Sequence, residues 1–571
     1  MIHSVEWPPV SELSDKQRAA LGELLALTPV IGELGRRFHD ADAQLYLVGG
    51  SVRDALLNDL GNDLDFTTSA DPDTTEGILA GYTPAVWDIG KDYGTIGARK
   101  RAGGRDWLIE ITTFRADNYS PESRKPAVQF GDNIHDDLVR RDFTVNAMAI
   151  RVDTDLPEFI DPYHGLEDLA DHLLRTPSTP EVSFGDDPLR MLRACRLVSQ
   201  LQFTVTEPVR SAMTAMAERI QIVSAERVRD ELSKLLCTDH PRAGLDLMVD
   251  TGLANHVLPE LPALRLERDE HFRHKDVYQH SLTVLEQAIE LEKARDLVDG
   301  RPNPDHQPDL VVRLAALLHD IGKPATRRAV GGGKVTFHHH DTVGAKLARK
   351  RLKALRYPHQ VVDAVSQLVE QHLRFHGYSE TDQTGIGGWT DAAVRRYVRD
   401  AGDQLERLHI LTRSDCTTRN TAKAEQLRRA YDELEARIDE LASQEALDAL
   451  RPDLDGHQIM AILGIPPGPE VGTAYNWLLE RRLTEGPLGP ERAEAELRAW
   501  WARRPGASSP TLPDFSGTPD SVAKPDSAAK PDSAPTPPRP PAAQTPDRQL
   551  PSRRRNRCRK GSAGSVETAP P

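Results

Sequence analysis

Hydrophobic and polar positions follow two different periods along the chain, and the change falls near residue 188. Before it, the segments 43–48, 64–68 and 107–112 are apolar or alternate between apolar and polar residues, as β-strands do. From there to about residue 505, apolar residues recur at helical spacing. The pattern predicts a mixed α/β region followed by an all-α region.

The chain after Pro505 has a different composition. Pro, Ala, Ser, Asp and Lys dominate, Phe515 is its only aromatic residue, and a Lys-Pro-Asp-Ser-Ala unit occurs twice. Such a segment buries too little apolar surface to offset the entropy lost on ordering, which predicts a disordered tail over 506–571. The basic cluster at 553–560 would add non-specific affinity for RNA.

Charge and cysteine content narrow the class of protein. The 571 residues carry 72 Lys and Arg against 87 Asp and Glu, a formal net charge of -15, so a phosphate-binding role depends on where the arginines cluster. No apolar run approaches the ~18 residues that cross a membrane, and the first residues lack the pattern of a secretory signal. Four widely separated cysteines exclude a disulfide scaffold and a cysteine-rich zinc site. We expect a cytoplasmic protein with no membrane contact and no obligate protein partner.

A glycine turn follows the first predicted strand. Gly50 and Arg53 belong to a Gly-Gly-Ser-Val-Arg-Asp segment that opens a predicted helix. Backbone N–H groups at such a turn suit a triphosphate, and Arg53 would add a charged fork to the same phosphates. A Gly-Gly sequence between strand and helix is more often only a turn, so this signal needs support from elsewhere.

That support comes from carboxylates on later strands. Asp63 and Asp65 are two residues apart, so they share one face of a strand and can bind the same Mg²⁺ ions. Glu110, on a later predicted strand, would supply a third acidic group. A glycine turn, an arginine and this acidic pair together favour two-metal nucleotidyl transfer.

Arginines occur in two further segments. Arg141 and Asp142 precede an apolar stretch in the segment 140–149. One interpretation is a helix with a charged N-terminal end. The other is a binding site in which Arg141 binds phosphate or ribose and Asp142 accepts from a ribose hydroxyl. Asp187 is predicted to cap a helix whose arginines fall on one face with no acidic residue among them, which favours an anion there. These arginines are Arg190, Arg193 and Arg196.

Five ordered motifs within about residues 30–260 resemble the bacterial class II CCA-adding tRNA nucleotidyltransferases, a branch of the polymerase-beta-like superfamily that also contains bacterial poly(A) polymerases. They are the glycine turn, Asp63-Leu64-Asp65, the segments 110–115 and 140–147, and the helix 187–196. The resemblance implies an α+β polymerase-beta-like head followed by an all-α neck and RNA-binding region.

The resemblance also implies a role for each motif residue. Asp63 and Asp65 would bind the catalytic Mg²⁺, while Asp187 and Arg190 would read the base edge. That pair makes chemical sense, because cytosine and adenine both present an amine beside an unprotonated ring nitrogen, whereas uracil and guanine present the reverse polarity. The nucleotide would be held by Gly50, Arg53, Arg141, Arg193 and Arg196.

Histidines and aspartates form a third group in the helical region. His280, His319-Asp320 and Asp415 occur in an order that resembles the HD superfamily of metal-dependent phosphohydrolases. Imidazole and carboxylate ligands suit a hydrolytic divalent metal, whose identity the sequence leaves open. His340 and His372 match positions that hold a second metal in some HD domains.

Together these observations predict an enzyme that adds C, C and A to the tRNA 3′ end from CTP and ATP, binding the acceptor end and elbow of tRNA by shape and phosphate contacts. A poly(A) polymerase would use the same motifs, and an HD phosphohydrolase with a nucleotide-sensing head or an RNA-holding protein is less favoured, because neither needs both metal carboxylates. The predicted regions are a head (25–175), a neck (176–262), an HD domain (263–420), a C-terminal helical region (421–505) and the tail.

Overall fold

A computed structural model describes residue 22 and residues 29–114, 133–154, 157–266, 276–303, 306–329, 335–375, 389–417, 420–445 and 451–504. The tail predicted for 506–571 lies outside the described residues. The rest has the expected class: a mixed α/β head comes first and a helical region follows.

The head contains one seven-stranded sheet in the order β3-β4-β5-β2-β1-β6-β7. Strands β2 and β5 are parallel, and every other neighbouring pair is antiparallel. The strands are β1 (Leu45–Val48), β2 (Asp63–Thr68), β3 (Ala85–Gly90), β4 (Thr95–Ala102), β5 (Arg105–Thr113), β6 (Ala149–Arg151) and β7 (Glu158–Ile160). The helices of the head are α1 (Pro29–Asp40), α2 (Gly50–Leu56), α3 (Pro72–Ala80), α4 (Ile134–Val139) and α5 (Gly165–Ala170), and α6 (Pro180–Asp186) follows them.

The sequence of strand β1 is apolar throughout, without alternation, because both faces of the strand are covered. Leu45 and Leu47 pack into the main core with the head helices, while Tyr46 and Val48 pack on the other face with Phe114. Because both faces are covered, every position of the strand is buried.

The helical region begins with the neck. Its helices are α7 (Leu189–Leu201), α8 (Glu207–Met216), α9 (Ala225–Leu236), α10 (Pro241–Asp250), α11 (Ala254–Val257) and α12 (Glu260–Ala263). The HD-like region follows with α13 (Val277–Arg295), α14 (Leu310–Leu318), α15 (Lys323–Thr326), α16 (His340–Ala354), α17 (His359–Gln371), α18 (Asp391–Ala401) and α19 (Leu405–Ser414). The last helices are α20 (Thr421–Glu445), α21 (Gly456–Leu463), α22 (Pro469–Glu485) and α23 (Pro490–Ala502).

One apolar core runs from the head to Leu441, and the last three helices have a smaller core of their own. Short 3₁₀ turns and two-residue strand pairs fill the connections. The turns are Lys91–Tyr93, Thr144–Asn146, Ala217–Ile222, Leu264–Leu266 and Gly402–Gln404. The strand pairs are β8 (Leu173–Leu174) with β9 (Thr204–Val205), β10 (Leu297–Val298) with β11 (Arg301–Pro302), and β12 (Arg328–Ala329) with β13 (Val335–Thr336).

Two local expectations meet different outcomes. The alternative of a helix over 140–149 is wrong, because α4 ends at Val139 and the segment forms a 3₁₀ turn and strand β6. Helix α7 begins at Leu189, one residue later than the predicted start at Pro188. The Leu189 N–H still donates to Asp187 Oδ1 at 3.1 Å, as expected of a capping residue.

Candidate nucleotidyl-transfer site and HD-type metal site

Three carboxylates meet where β2 and β5 run side by side. Asp65 lies directly opposite Glu110 in the parallel register. Leu64 is buried in the core, so Asp63 and Asp65 on either side of it face away from the core. Burial is the largest cause of the raised pKa of Asp65 and of Glu110, and the neighbouring carboxylates raise both further. A divalent cation would relieve this repulsion, so the donor set fits Mg²⁺.

The glycine turn is tied directly to the acidic pair. The Ser51 hydroxyl donates to the Asp63 carbonyl at 3.1 Å and accepts from the Asp65 N–H at 3.0 Å. Gly49 has a φ of +70°, and a Cβ there would lie 3.0 Å from Arg141 Nη1 and 3.9 Å from Asp65 Oδ2. At Gly50 the nearest atom to such a Cβ is Arg53 Nη2 at 3.4 Å. Gly49 therefore keeps the space beside Arg141 and Asp65 open.

Arg53 lies beside this turn but contacts protein groups with all three guanidinium nitrogens. Nε and Nη2 donate to Asp54 at 2.8 and 2.9 Å, and Nη1 donates to Asn146 Oδ1 at 2.5 Å. The residue is 5% exposed. In this arrangement Arg53 links the turn to the 3₁₀ segment 144–146, and a phosphate would have to share its donors.

Asp137 holds the next two arginines. It is fully buried, and its two oxygens accept from Arg140 Nη2 at 2.6 Å and from Arg141 Nη2 at 2.9 Å. Burial disfavours its charge, but the two guanidinium groups outweigh burial and lower the pKa of Asp137. Asp137 therefore remains ionised and directs Arg141 toward Asp65.

Asp142 is buried between the head and helix α7. Its Oδ1 accepts from the Phe143 N–H at 2.8 Å and from Asn146 Nδ2 at 3.0 Å, and its Oδ2 lies 3.1 Å from Arg193 Nη2. Burial opposes ionisation of Asp142, but Arg193 and the Asn146 amide lower its pKa overall. Asp142 thus joins the segment after α4 to the arginine-bearing helix.

Two of the three arginines of α7 pair with acidic residues, contrary to the expectation from the helix alone. Arg193 pairs with Asp142, and Arg196 donates to Glu231 of α9 and, at 2.7 Å, to Gln200. Arg190 is buried, and it donates to Ser183 Oγ at 2.9 Å and to the Arg140 carbonyl. The compensating groups come from other elements, which the spacing within one helix does not reveal.

Asp187 stands at the entrance of α7. Besides accepting from Leu189, it accepts from Arg227 Nη2 of α9 at 2.7 Å. Asp187 and Arg196 therefore both contact the neck helix α9. The residues that they contact, Arg227 and Glu231, lie four positions apart on the same face of that helix.

Sequence reasoning missed five residues of this site. The role of Asp137 was predictable from its own segment, because it precedes Arg140 and Arg141 by three and four residues, the spacing of an ion pair in a helix. The role of the other four was not predictable from their own segments, since each forms a hydrogen bond with a residue distant in the chain. They are Ser51, Asn146, Arg227 and Glu231.

A second group of chemistry-bearing side chains lies among α13, α14, α16 and α17, with Asp415 directly after α19. His280 Nε2 lies 2.9 Å from Asp415 Oδ1 and 3.2 Å from His319 Nε2. Asp320 has one oxygen 3.2 Å from His319 Nε2 and the other 3.3 Å from His340 Nε2. Within the described residues, the two sets that could hold a metal share Asp320: one adds His280 and His319, and the other adds His340 and His372.

The histidines of this group are oriented as metal ligands are. Each directs Nδ1 to a protein oxygen, which leaves Nε2 for a metal. The partners are the carbonyls of Ala316 for His319 (2.9 Å), Phe337 for His340 (2.9 Å) and Val369 for His372 (2.7 Å), and the hydroxyl of Thr417 for His280 (3.0 Å).

Among the described residues, one buried nitrogen of the group, His372 Nε2, lacks a hydrogen bond. Asp320 Oδ2, by contrast, lies 2.9 Å from Lys323 Nζ and 3.2 Å from His319 Nε2. Burial lowers the pKa of His372 to about 3, whereas for His319 the carboxylates of Asp320 and Asp415 outweigh burial and raise the pKa to about 9. Buried polar atoms without partners are costly, so this donor set fits one or two divalent metal ions.

Three sequence profiles match the chain in the order of these regions. They are described as "Poly A polymerase head domain" over residues 45–175, "Probable RNA and SrmB- binding site of polymerase A" over 202–264 and "HD domain" over 277–420. Among curated proteins, the A-adding tRNA nucleotidyltransferase of Deinococcus radiodurans is 33% identical over 473 residues, which cover 81% of this chain and 96% of that one. The chain belongs to the tRNA nucleotidyltransferase family.

Other members of the family differ in the nucleotides named for them. The CC-adding tRNA nucleotidyltransferase of Thermus thermophilus is 30% identical over 81% of this chain and 95% of its own. The CCA-adding enzyme of Lactobacillus helveticus is 38% identical, but the match spans 38% of this chain and 52% of that enzyme. The CCA-adding enzyme of Bacillus stearothermophilus, solved with CTP, shares the fold with a TM-score of 0.52 at 23% identity, over 86% of this chain and 98% of that one.

These comparisons confirm the predicted family, the fold class and a nucleotidyltransferase activity. A search of the described helices finds none long and apolar enough to cross a membrane. The site residues and the domain boundaries stay predictions.

Proposed function

We propose that this nucleotidyltransferase adds C, C and A in turn to the 3′ end of tRNA from CTP and ATP. The observation that carries the proposal is the position of Asp63, Asp65 and Glu110 in register on two parallel strands, with Arg141 directed toward them. The 3′-hydroxyl of the tRNA attacks the α-phosphate of the nucleotide, and pyrophosphate leaves.

In this proposal Asp63 and Asp65 hold Mg²⁺. The metal, when bound, supplies a Lewis acid that stabilises the developing charge on the phosphate oxygens. Arg141, held by Asp137, faces the space that Gly49 keeps open, so it binds the triphosphate. Arg193 and Arg196 contribute positive potential from α7, and Asp142, with Arg193 beside it, accepts from the ribose.

Base reading falls to Asp187 and Arg190. The Asp187 carboxylate accepts from the exocyclic amine of cytosine or adenine, and the Arg190 guanidinium donates to the ring nitrogen. Arg190 is engaged with Ser183 and the Arg140 carbonyl, so nucleotide binding has to exchange some of these hydrogen bonds. We therefore expect Arg190 to need its full guanidinium, and Arg190→Lys to bind CTP and ATP more weakly.

The deciding experiment offers labelled CTP, ATP, or both to tRNA that ends before, within or after the CCA sequence. We expect two C residues and one A, and then termination. Because relatives matched over nearly their full length are named A-adding or CC-adding, addition of A alone to tRNA ending in CC, or of CC alone, would replace the proposal with one half of the reaction. Unlimited addition of A would identify a poly(A) polymerase.

The binding partner in this proposal is tRNA, gripped at its acceptor end and elbow by the helical region through shape and phosphate contacts. We also propose a cytoplasmic location, since tRNA and nucleotides are both present there. Footprinting of tRNA with the protein tests the elbow contact, and cell fractionation tests the location.

A second activity is favoured by the histidine group. The anchored Nδ1 atoms and the buried Nε2 of His372, which lacks a hydrogen bond among the described residues, support a metal-dependent phosphohydrolase at His280, His319, Asp320 and Asp415, with His340 and His372 binding a second metal. Hydrolysis of small phosphomonoesters, followed by release of phosphate, and of small phosphodiesters, followed by release of the alcohol, tests this activity separately from nucleotide addition, with several divalent metals.

A further inference from the structure

Helix α9 lies between the nucleotidyl-transfer site and the HD-like region, with a different set of residues directed to each. Arg227 and Glu231 contact Asp187 and Arg196 of the site. Lys234, one turn further, belongs to the same face, and its charge opposes the rise in the pKa of Glu110.

The other face of α9 is bound to the HD-like region. The Arg229 guanidinium donates to the Arg356 carbonyl at 2.7 Å, and the Ser233 hydroxyl lies 3.0 Å from the Tyr357 hydroxyl. Arg229 and Ser233 are again four residues apart, so they form one line along the helix. These contacts secure the middle of α9.

The C-terminal end of α9 is capped by an arginine from α14. Arg313 is completely buried, and its Nη1 donates to the carbonyls of Leu236, the last residue of the helix, and Thr238 at 2.9 and 2.7 Å. Its Nε donates to Glu292 at 3.1 Å. The last carbonyls of a helix lack partners within the helix and carry partial negative charge, so a buried cation is well placed there.

We propose that Arg313 is a positioning residue for nucleotide selection. By capping α9 it fixes the axial position of that helix, so that Arg227 and Glu231 hold Asp187 and Arg196 where the base and triphosphate bind. The HD-like region thereby supports nucleotide addition through its scaffold and independently of its metal ligands. This inference rests on the base-reading role proposed above.

The test replaces Arg313 without leaving Glu292 as an unpaired buried charge. In Arg313→Met with Glu292→Gln, the glutamine oxygen still accepts from the Asp309 N–H, which contacts Glu292 in the wild type. We expect a higher KM for CTP and ATP and a loss of discrimination against UTP of roughly two- to thirtyfold, the range found for remote positions, with kcat changed by less than about threefold. Arg313→Lys keeps the charge and should recover part of the discrimination.

A matched control comes from the same pair of regions. Arg242 of α10 pairs with Glu286 of α13 through two contacts of 2.6 Å, and its other side-chain hydrogen bonds in the described structure, to Gln279 and Thr283, also go to α13. Arg242→Met should therefore leave discrimination unchanged. Melting curves and bound-metal content establish that each variant is folded.

Three results would overturn the inference. One is wild-type discrimination in the folded double variant, and another is an equal loss in Arg242→Met. The third applies if the double variant does not fold. Tyr357→Phe, which removes only the contact with Ser233, should then lower discrimination against UTP slightly, and unchanged discrimination in that variant would overturn the inference. Asp187→Ala separates the two proposals: unaltered discrimination in that variant contradicts the base-reading role itself, whereas relaxed discrimination there with no effect at Arg313 contradicts only the inference.

Discussion

The nucleotidyl-transfer site and the histidine group differ in how they manage charge. In the nucleotidyl-transfer site, acidic residues lie at a sheet, Asp63 is exposed to solvent, and most of the arginines are paired with an acidic residue, as Arg141 is with Asp137, Arg193 with Asp142 and Arg196 with Glu231. In the HD-like region, His319 and Asp320 are at most 1% exposed, and their donor atoms lie close to those of His280, His340 and Lys323. The first site is open to solvent and most of its arginines are paired. The second is closed to solvent, and the buried Nε2 of His372 lacks a hydrogen bond among the described residues.

This difference favours different behaviour for the metal proposed at each site. Oxygen ligands at an open position suit Mg²⁺ that arrives and leaves with a triphosphate. Imidazoles anchored through Nδ1 in a closed position suit a resident metal that contributes to stability. The predictions below test this contrast.

The largest effect is expected at the acidic pair. Asp63→Ala or Asp65→Ala removes a ligand that other groups cannot replace, so nucleotide incorporation should fall by about a thousandfold or more. Metal bound by the histidine group and the melting temperature should be unchanged. Incorporation near the wild-type rate in both variants would remove the head from the mechanism.

The next effect concerns the histidine group. His319→Ala with Asp320→Ala should abolish metal retention and phosphohydrolase activity, while nucleotide addition stays within about threefold of wild type, because none of the proposed transfer residues contacts either side chain. His338→Ala, an exposed neighbour, is the control. Loss of nucleotide addition in the folded double variant would show that the neck helices depend on the metal as well as on the contact with Arg313.

A smaller effect should follow from Asp137→Asn. Removing one partner of a buried ion pair costs about 3–5 kcal/mol in the free energy of unfolding, and the released Arg141 should raise the KM for nucleotides. Since the pKa of Asp137 is lowered by folding, its contribution is complete above the usual carboxyl range near pH 4 and declines as the pH falls through the lowered value.

Denaturant titrations of wild type and Asp137→Asn at several pH values measure this contribution. The gap between the two proteins should be widest at neutral pH and narrow in acid. Asp136→Asn, at an exposed neighbouring carboxylate, should show neither the gap nor the KM change. A gap independent of pH would mean that the charge of Asp137 is not what stabilises the segment.

The two sites also differ in how far sequence predicts them. The acidic pair and Glu110 were predictable, because strand periodicity and parallel pairing decide which residues meet. The pairing of Arg196 with Glu231 and of Asp187 with Arg227 was not, because it depends on how two neck helices pack. The strand at 149–151, which begins at the last residue of the stretch for which a helix was one alternative, is decided by its pairing with β1 and β7, which outweighs local preference.

The smallest predicted effect distinguishes backbone strain from crowding at the glycine turn. Gly49 and Gly103 both have positive φ, +70° and +61°, so alanine at either position should lower stability, and by more at Gly49, whose ψ of −137° lies outside the left-handed helical region. Only at Gly49 would the added Cβ meet the site, 3.0 Å from Arg141 Nη1, whereas at Gly103 it would meet nothing within 4 Å. Gly49→Ala should therefore raise the KM for CTP and ATP several-fold beyond Gly103→Ala, measured at a temperature where melting curves show both variants to be folded. Equal KM values in the two variants would mean that the space beside Arg141 and Asp65 is not where the nucleotide binds.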